Sequence, residues 1–386
     1  MRIVMSDTMS DTSSESVPNE TQNAEPSAFT LPYLTVDLPG IGGRWKDEPE
    51  DFVVEEIPAY EPAGAGEHLF LWIEKRDVSA KDLVHHVGRT LRCSPRDIGV
   101  AGLKDRRAIT RQYISVPAKL AAEVPQIDTD KIKVLRSELH GNKLRTGHLR
   151  GNRFTIVIRD VGESAAERAA AILRRIQLMG FPNYYGSQRF GHNRETLRLG
   201  LDLLTGRKKS KDIPGAQRRF LLRLSLSAVQ SDLFNQAIAE RMTDGLLHKV
   251  LSGDVMEVVA SGGKFVATDV AAEQPRYDSG ETAVTGPMFG LKMREPTGQA
   301  QEFEQDLLAR SGLGPEHFSK YLNLMNGTRR SYVIRPGELD ISPVADGLRF
   351  QFTLPSGVYA TILLREFMKS DDLPSVPEAE DGSDED

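Results

Sequence analysis

Two-residue hydrophobic periodicity at both ends of the chain, with helical periodicity between them, most restricts how these 386 residues can fold. Near the start, 51–57 (DFVVEEI) and 68–75 (HLFLWIEK) are β-branched and aromatic runs separated by the Pro/Gly-rich 58–66, which predicts a strand pair. Residues 108–116 (AITRQYISV) read as another strand, and 153–159 (RFTIVIR) alternates as a half-buried strand does. Near the end, 348–354 (LRFQFTL) alternates again. In between, helical patterns dominate 218–242, 302–309 and 315–326, while 248–291 holds short strand-like pieces (VMEVVA, GKFVAT). A β-type start, a distinct middle and a β-type end predict one domain, 31–179 and 334–369, interrupted by a second domain at 180–333.

Local signals mark several helices. Ser79 stands three residues before Asp82, ahead of Leu83, Val87 and Leu91, which predicts a capped amphipathic helix. Residues 164–179 carry Ala165, Ala169, Ile172, Ile176 and Met179 on one helical face, with Gly180 placed to end the helix and Pro182 to prevent its resumption. A last helix is expected over 360–369.

The formal net charge of −6 belongs to the ends of the chain. Residues 1–30 sum to −4 and 370–386 to −8, so the body 31–369 carries about +6. Both ends are too polar to offset the entropy of ordering them and read as disordered acidic tails. The mildly basic body is compatible with a polyanionic partner. No window approaches the roughly 18 apolar residues of a membrane span, and no secretory signal is evident at the N-terminus. One cysteine, Cys93, leaves no internal disulfide framework and no Cys-based zinc site. The expected address is the cytoplasm.

The eight histidines form no HxxxH or HExxH pair, and there is neither a GxxxxGK[ST] nor a GxGxxG after a strand. Neither a metal nor a nucleotide cofactor is therefore expected. The segment 100–112, VAGLKDRRAITRQ, sets Asp105 among Lys104, Arg106 and Arg107, between a glycine-containing turn and a strand. Neighbouring cations favour the carboxylate, so Asp105 could serve as nucleophile or base beside phosphate-binding groups. The same pattern also describes an exposed turn acid balanced by its neighbours. Residues 135–159 carry Arg136, Lys143, Arg145, Arg150, Arg153 and Arg159 against Glu138 and lead into GNRF. Such a loop could grip phosphates and place Asn152 and Phe154 beside a base, or be a solvated loop with Phe154 in the core. A second basic run covers 207–223; it suits nucleic acid or a solvated face equally. In 181–193, FPNYYGSQRFGHN, the aromatics could stack on unpaired bases or fill an interdomain elbow.

Taken together, AGLKDRRAITRQ (101–112), DFVVEE (51–56), GNRF (151–154), NYYGSQRFG (183–191) and FTLPSGVYATILLRE (352–366) resemble, in order, the TruD family of pseudouridine synthases. The resemblance spans about 45–367. It implies an α+β catalytic domain with a mixed, largely antiparallel sheet, interrupted by a family-specific inserted α+β (TRUD) domain. It also implies isomerisation of uridine to pseudouridine in tRNA, in bacterial members at position 13, without metal or organic cofactor. By the family's motifs Asp105 is the implied catalytic group. Lys104, Phe52, Asn152 and Phe154 are implied at the active site. Tyr359 stands where many members carry a phenylalanine against the target base. The implied partner is tRNA, with other RNAs left open and neither a membrane nor an obligate protein partner expected. The competing reading is a non-catalytic tRNA-binding or folding protein on the same scaffold, against which the presence of Asp105 counts.

Overall fold

The computed structural model describes residues 31–370. The tails at 1–30 and 370–386 lie outside these residues, Ser370 apart. The chain first forms β1 (Arg44–Trp45), β2 (Phe52–Pro58), β3 (His68–Arg76), α1 (Ala80–Thr90), β4 (Gly99–Val100), β5 (Ile109–Pro117), β6 (Ile132–His140), β7 (Leu149–Arg159) and α2 (Ala165–Met179). Helix α1 begins at the expected cap: Ser79 Oγ accepts the Asp82 amide at 3.0 Å. Its Leu83 and Val87, with Leu91 beyond, are buried with Leu71, Ile73 and Ile114 of the strands. Gly180 ends α2 with φ +75°, and a Cβ there would stand 2.6 Å from the Ile334 carbonyl oxygen, so no other residue fits.

The middle of the chain forms β8 (Phe181–Pro182), α3 (Glu195–Thr205), α4 (Arg218–Thr243), β9 (Val255–Val258), β10 (Lys264–Val266), α5 (Val270–Asp278), β11 (Thr282–Met288), α6 (Gly298–Arg310), α7 (Pro315–Ser319), β12 (Thr328–Ser331) and β13 (Val333–Ile334). Helix α4 is its spine, burying Leu226, Val229, Leu233, Phe234 and Ile238. A four-stranded sheet runs β10-β9-β11-β12. The helix expected over 315–326 stops at Ser319. Beyond it the chain turns, burying Met325 completely. Gly327 then comes so close to Gly290 that a Cβ on Gly290 would lie 2.3 Å from its nitrogen. No helix among the described residues is long and apolar enough to cross a membrane.

Strands β14 (Gly337–Val344) and β15 (Gly347–Pro355) and helix α8 (Ala360–Met368) complete the fold. The large sheet runs β14-β15-β7-β2-β5-β3-β6, with β1 added to β7 and β4 to β5, nine strands in all. Only β2–β5 is parallel. The sheet is therefore mixed and largely antiparallel, as expected for this α+β fold.

Two expectations need correction. Strands β2 and β3 are not a pair, because β5 lies between them. The Pro/Gly-rich connection spans the end of the sheet instead of turning back: Ala59 donates to His148 O at 3.3 Å beside β7, and Gly64 to Leu139 O at 2.9 Å on β6. Residues 135–140, read above as part of a basic loop, are the second half of β6 and pair with β3.

The large sheet takes its strands from 44–159 and 337–355, and the small one from 255–331. Where the two passages between them run side by side, β8 pairs antiparallel with β13, Phe181 opposite Ile334. From Pro32 onward the described residues form a single compact unit.

Candidate active site

Residues directly opposite each other on neighbouring strands share a sheet face. The registers place Lys75, Thr110, Val54, Phe154 and Phe352 in one row across β3, β5, β2, β7 and β15. The adjoining rows hold Phe52 and Ile156 on one side and Glu56 and Asn152 on the other. The loop between β4 and β5 is fastened over this face. Lys75 donates to Asp105 O at 2.5 Å, Lys104 to Glu56 Oε2 at 3.1 Å and Gln112 to Gly102 O at 3.4 Å. At the base of the loop, Gly99 lies so near residue 144 that a Cβ would stand 2.2 Å from the Leu144 carbonyl oxygen.

Asp105 is thus no exposed turn acid. Its side chain is 15% exposed, and its Oδ1 is buried without a hydrogen-bond partner. Burial pushes its carboxyl up, opposed by Lys46, Lys75 and Lys104. Lys46 Nζ stands 4.0 Å from Oδ1 and lies over the Phe52 ring, 3.8 Å from its centroid. Burial pushes the Lys46 ammonium down, Asp105 pulls it up, and Arg107 pushes it down again. Lys104 is committed to Glu56, whose side chain is fully buried and whose other oxygen accepts the Tyr113 amide at 3.3 Å. Burial raises the Glu56 carboxyl, with Lys104 pulling it back.

The charges expected beside Asp105 are accordingly corrected. Arg106 is exposed and reaches Asp77 at 3.8 Å, and Arg107 acts on Lys46. Lys46, just after β1, and Lys75, on β3, take their place. In its ionised form, a carboxyl group with an unbonded oxygen, held beside cations and little exposed, can act as nucleophile or base.

Phe52 and Phe154 are brought together with ring centroids 6.2 Å apart, in a row that continues to Trp45 at 5.2 Å on one side and Phe352 at 5.2 Å on the other. At 2% and 7% exposure these rings form the floor of the site. Asn152 Oδ1 is buried without a partner. Tyr359 enters from another direction, at the start of α8, with its ring edge-on to Tyr185 at 5.9 Å. Arg330 covers Tyr185, 4.3 Å from the ring centroid, and donates to Gly357 O at 2.8 Å. It thereby ties the Tyr359 loop to β12.

The family model described as tRNA pseudouridine synthase D (TruD) matches residues 29–211 and 207–367. The tRNA pseudouridine synthase D of Anaeromyxobacter dehalogenans (strain 2CP-1) is 43% identical over 343 residues, 88% of this chain and 97% of that protein. That of Thermus thermophilus is 42% identical over 354 residues, 91% and 96% of the two chains. A crystal structure of a putative TruD from Methanosarcina mazei aligns with TM-score 0.71 at 26% identity, covering 88% of this chain and 96% of that one. The chain belongs to the TruD family of tRNA pseudouridine synthases.

Within this TruD-family site, sequence reasoning missed Lys46, Glu56 and Lys75 as site residues. Glu56 lies inside the DFVVEE motif. Lys75 had a visible signal: it extends the alternation Leu69, Leu71, Ile73, and so had to point inward. Lys46 had no comparable local mark. Several cations assigned to phosphate contact are otherwise engaged. Arg153 meets Glu55 at 3.4 Å, and Arg159 clamps Asp51 at 2.6 Å, while Arg207 meets Asp202 at 2.7 Å. Arg145 and Arg150 are exposed and stand in no ion pair among the described residues. In 181–193, Tyr184 and Phe190 are buried and Tyr185 meets Tyr359 edge-on, so these rings are engaged within the fold.

Proposed function

We propose that this TruD-family isomerase converts uridine to pseudouridine in tRNA, at position 13, with the Asp105 carboxylate as the reacting group. The observation that carries this reading is the unbonded Asp105 Oδ1 beside Lys46. The isomerisation breaks N1–C1′, joins C5 to C1′, and moves a proton from C5 to N1, so nothing is added or lost. Attack at C1′, attack on the uracil ring and proton abstraction all lie within the chemistry of such a carboxylate.

The target base must leave its stack to be reached. Phe52 and Phe154 would floor its pocket and Tyr359 would stack from the α8 side. Asn152 would turn its unpartnered oxygen to the ring, and Lys104 would hold Glu56 neutralised beneath. Exposed Arg145 and Arg150 suit backbone phosphates. We read 180–333 as a domain inserted between 31–179 and 334–369; the separate strand sets of the two sheets support this division. Cytoplasmic tRNA is the substrate that fits, and other RNAs with a similarly presented uridine would fit the same pocket.

The test is Asp105→Asn. Single-turnover tritium release from 5-tritiated uridine tRNA should be abolished, while filter-binding affinity stays close to wild type. Retention of more than about a tenth of the rate would remove Asp105 from the reaction. Parallel loss of rate, binding and melting temperature would make it structural.

A further inference from the structure

We propose that Lys75 is a positioning residue that locks the backbone of residues 104–105 from beneath and, as a buried cation, favours the ionised form of Asp105. The proposal rests on the reading of Asp105 given above.

Lys75 is completely buried and stands in no ion pair among the described residues. Its three ammonium protons meet three backbone carbonyls: Asp105 O at 2.5 Å, Val78 O at 2.7 Å and Lys104 O at 3.4 Å. An ammonium has three donors and no acceptor, so this set uses it fully. Val78 belongs to the connection between β3 and α1, whereas Lys104 and Asp105 belong to the active loop. One rigid strand end thereby fixes the peptide that carries the reacting carboxylate.

Stability alone does not account for a lysine here. Its strand neighbours on the same face are Leu69, Leu71 and Ile73, all core residues. Burying an ammonium without a counterion is costly even when it is hydrogen-bonded. The cost becomes intelligible if the cation serves the neighbouring acid.

The charged groups around Asp105 leave room for such a role. From the β1 side comes Lys46, itself weakened by Arg107. From the loop comes Lys104, which Glu56 occupies. Asp77, the other acid felt by Lys75, is met by Arg106 and Lys131, each at 3.8 Å. Lys75 is the remaining cation, and it approaches from below the loop. Burial holds its ammonium down to about 8, with Asp105 pulling it up. It is therefore mostly charged at neutral pH.

Two variants test this, Lys75→Met and Lys75→Gln, with Asp105→Asn in the same assays. Lys75→Met removes charge and donors; Lys75→Gln keeps N–H donors but no charge. Single-turnover rates should be measured across pH, together with tRNA Kd and melting temperature. Lys75→Met should slow turnover at neutral pH by about tenfold to a hundredfold, the range that misplacement of a reacting group produces. Its deficit should shrink as pH rises, because the acid limb moves to higher pH when Asp105 loses a cation. Lys75→Gln should show the same limb displacement with a smaller loss of rate. tRNA Kd should change by less than about twofold in both, because the cation faces the loop backbone and no phosphate. An unchanged rate and acid limb would overturn the proposal. So would parallel loss of rate, binding and melting temperature in both variants, or failure of both to fold, since Lys75 would then be a core residue only. If Asp105→Asn itself retains activity, the reading of Asp105 fails instead, whatever Lys75 does.

Discussion

The pair between Lys104 and Glu56 permits a quantitative test. Their side chains are 5% and 0% exposed and meet at 3.1 Å. At an effective dielectric of about 20, two unit charges at that distance attract by about 5 kcal/mol, against the loss of hydration of both ions. Removing one partner leaves the other charge buried alone, which typically costs about 3–5 kcal/mol. Lys104→Met should therefore destabilise the protein by about that much. At about 2 °C per kcal/mol for a chain this long, the melting temperature should fall by about 6–10 °C. Glu56→Gln should cost a similar amount, while Lys104→Met with Glu56→Leu should recover most of the loss, because a buried pair replaced by apolar groups is often neutral. The penalty of Lys104→Met should also depend on pH. Burial already raises the Glu56 carboxyl, and without Lys104 it rises further. Protonation then relieves the uncompensated charge, so the penalty is full at high pH and shrinks as pH falls through that higher value. Thermal melts of the four proteins at pH 5 and pH 8 read this directly. A single-variant cost below about 1 kcal/mol, the value of an exposed pair, would refute the reasoning.

Three further outcomes follow from the same structure. Burial raises the Asp105 carboxyl above its ordinary value of 3.8, with the lysines only partly opposing; the folded protein therefore binds this proton more tightly than the unfolded chain, and wild type loses stability as pH rises through the folded value. Asp105→Asn should match wild type in melting temperature near pH 4 and exceed it at pH 7; a lower value at pH 7 would contradict this. In the basic run, Arg207 and Lys208 already face Asp202 at 2.7 and 3.9 Å. Lys209→Ala with Lys211→Ala should thus lower the salt slope of tRNA binding more than the Arg207/Lys208 double variant, by roughly 0.7–0.9 for each phosphate no longer neutralised; equal slopes would mean a solvated face. Deleting 1–30 and 371–386 removes twelve net negative charges, so tRNA affinity at low salt should hold or rise, and a clear loss would count against it.

Much of the local architecture was legible in the sequence. The Ser79 cap, the apolar face of α2, the glycine at its end and the alternation in β7 and β15 all depend on neighbours within a few residues. Hydrophobic periodicity encodes these directly. The motif around Asp105 was legible too, and so was its position between a glycine-containing turn and a strand. Strand order was not, because β2 and β3 suit a hairpin equally well on local grounds. Strand β5, farther along the chain, pairs with both and so lies between them.

The electrostatics of the site shows the same division. By itself the sequence determined which residue types could react: one aspartate among cations, with aromatic motifs to stand beside it. Only the tertiary structure decided which cations serve Asp105. Arg106 and Arg107 are its neighbours in sequence, yet Arg106 turns to Asp77 and Arg107 acts on Lys46. Lys46 and Lys75 arrive from 59 and 30 positions away. Adjacency also suggested a carboxyl held low by surrounding charge, whereas burial pushes it up. Periodicity is a property of consecutive residues; desolvation and Coulomb attraction depend on which distant segments close over a group.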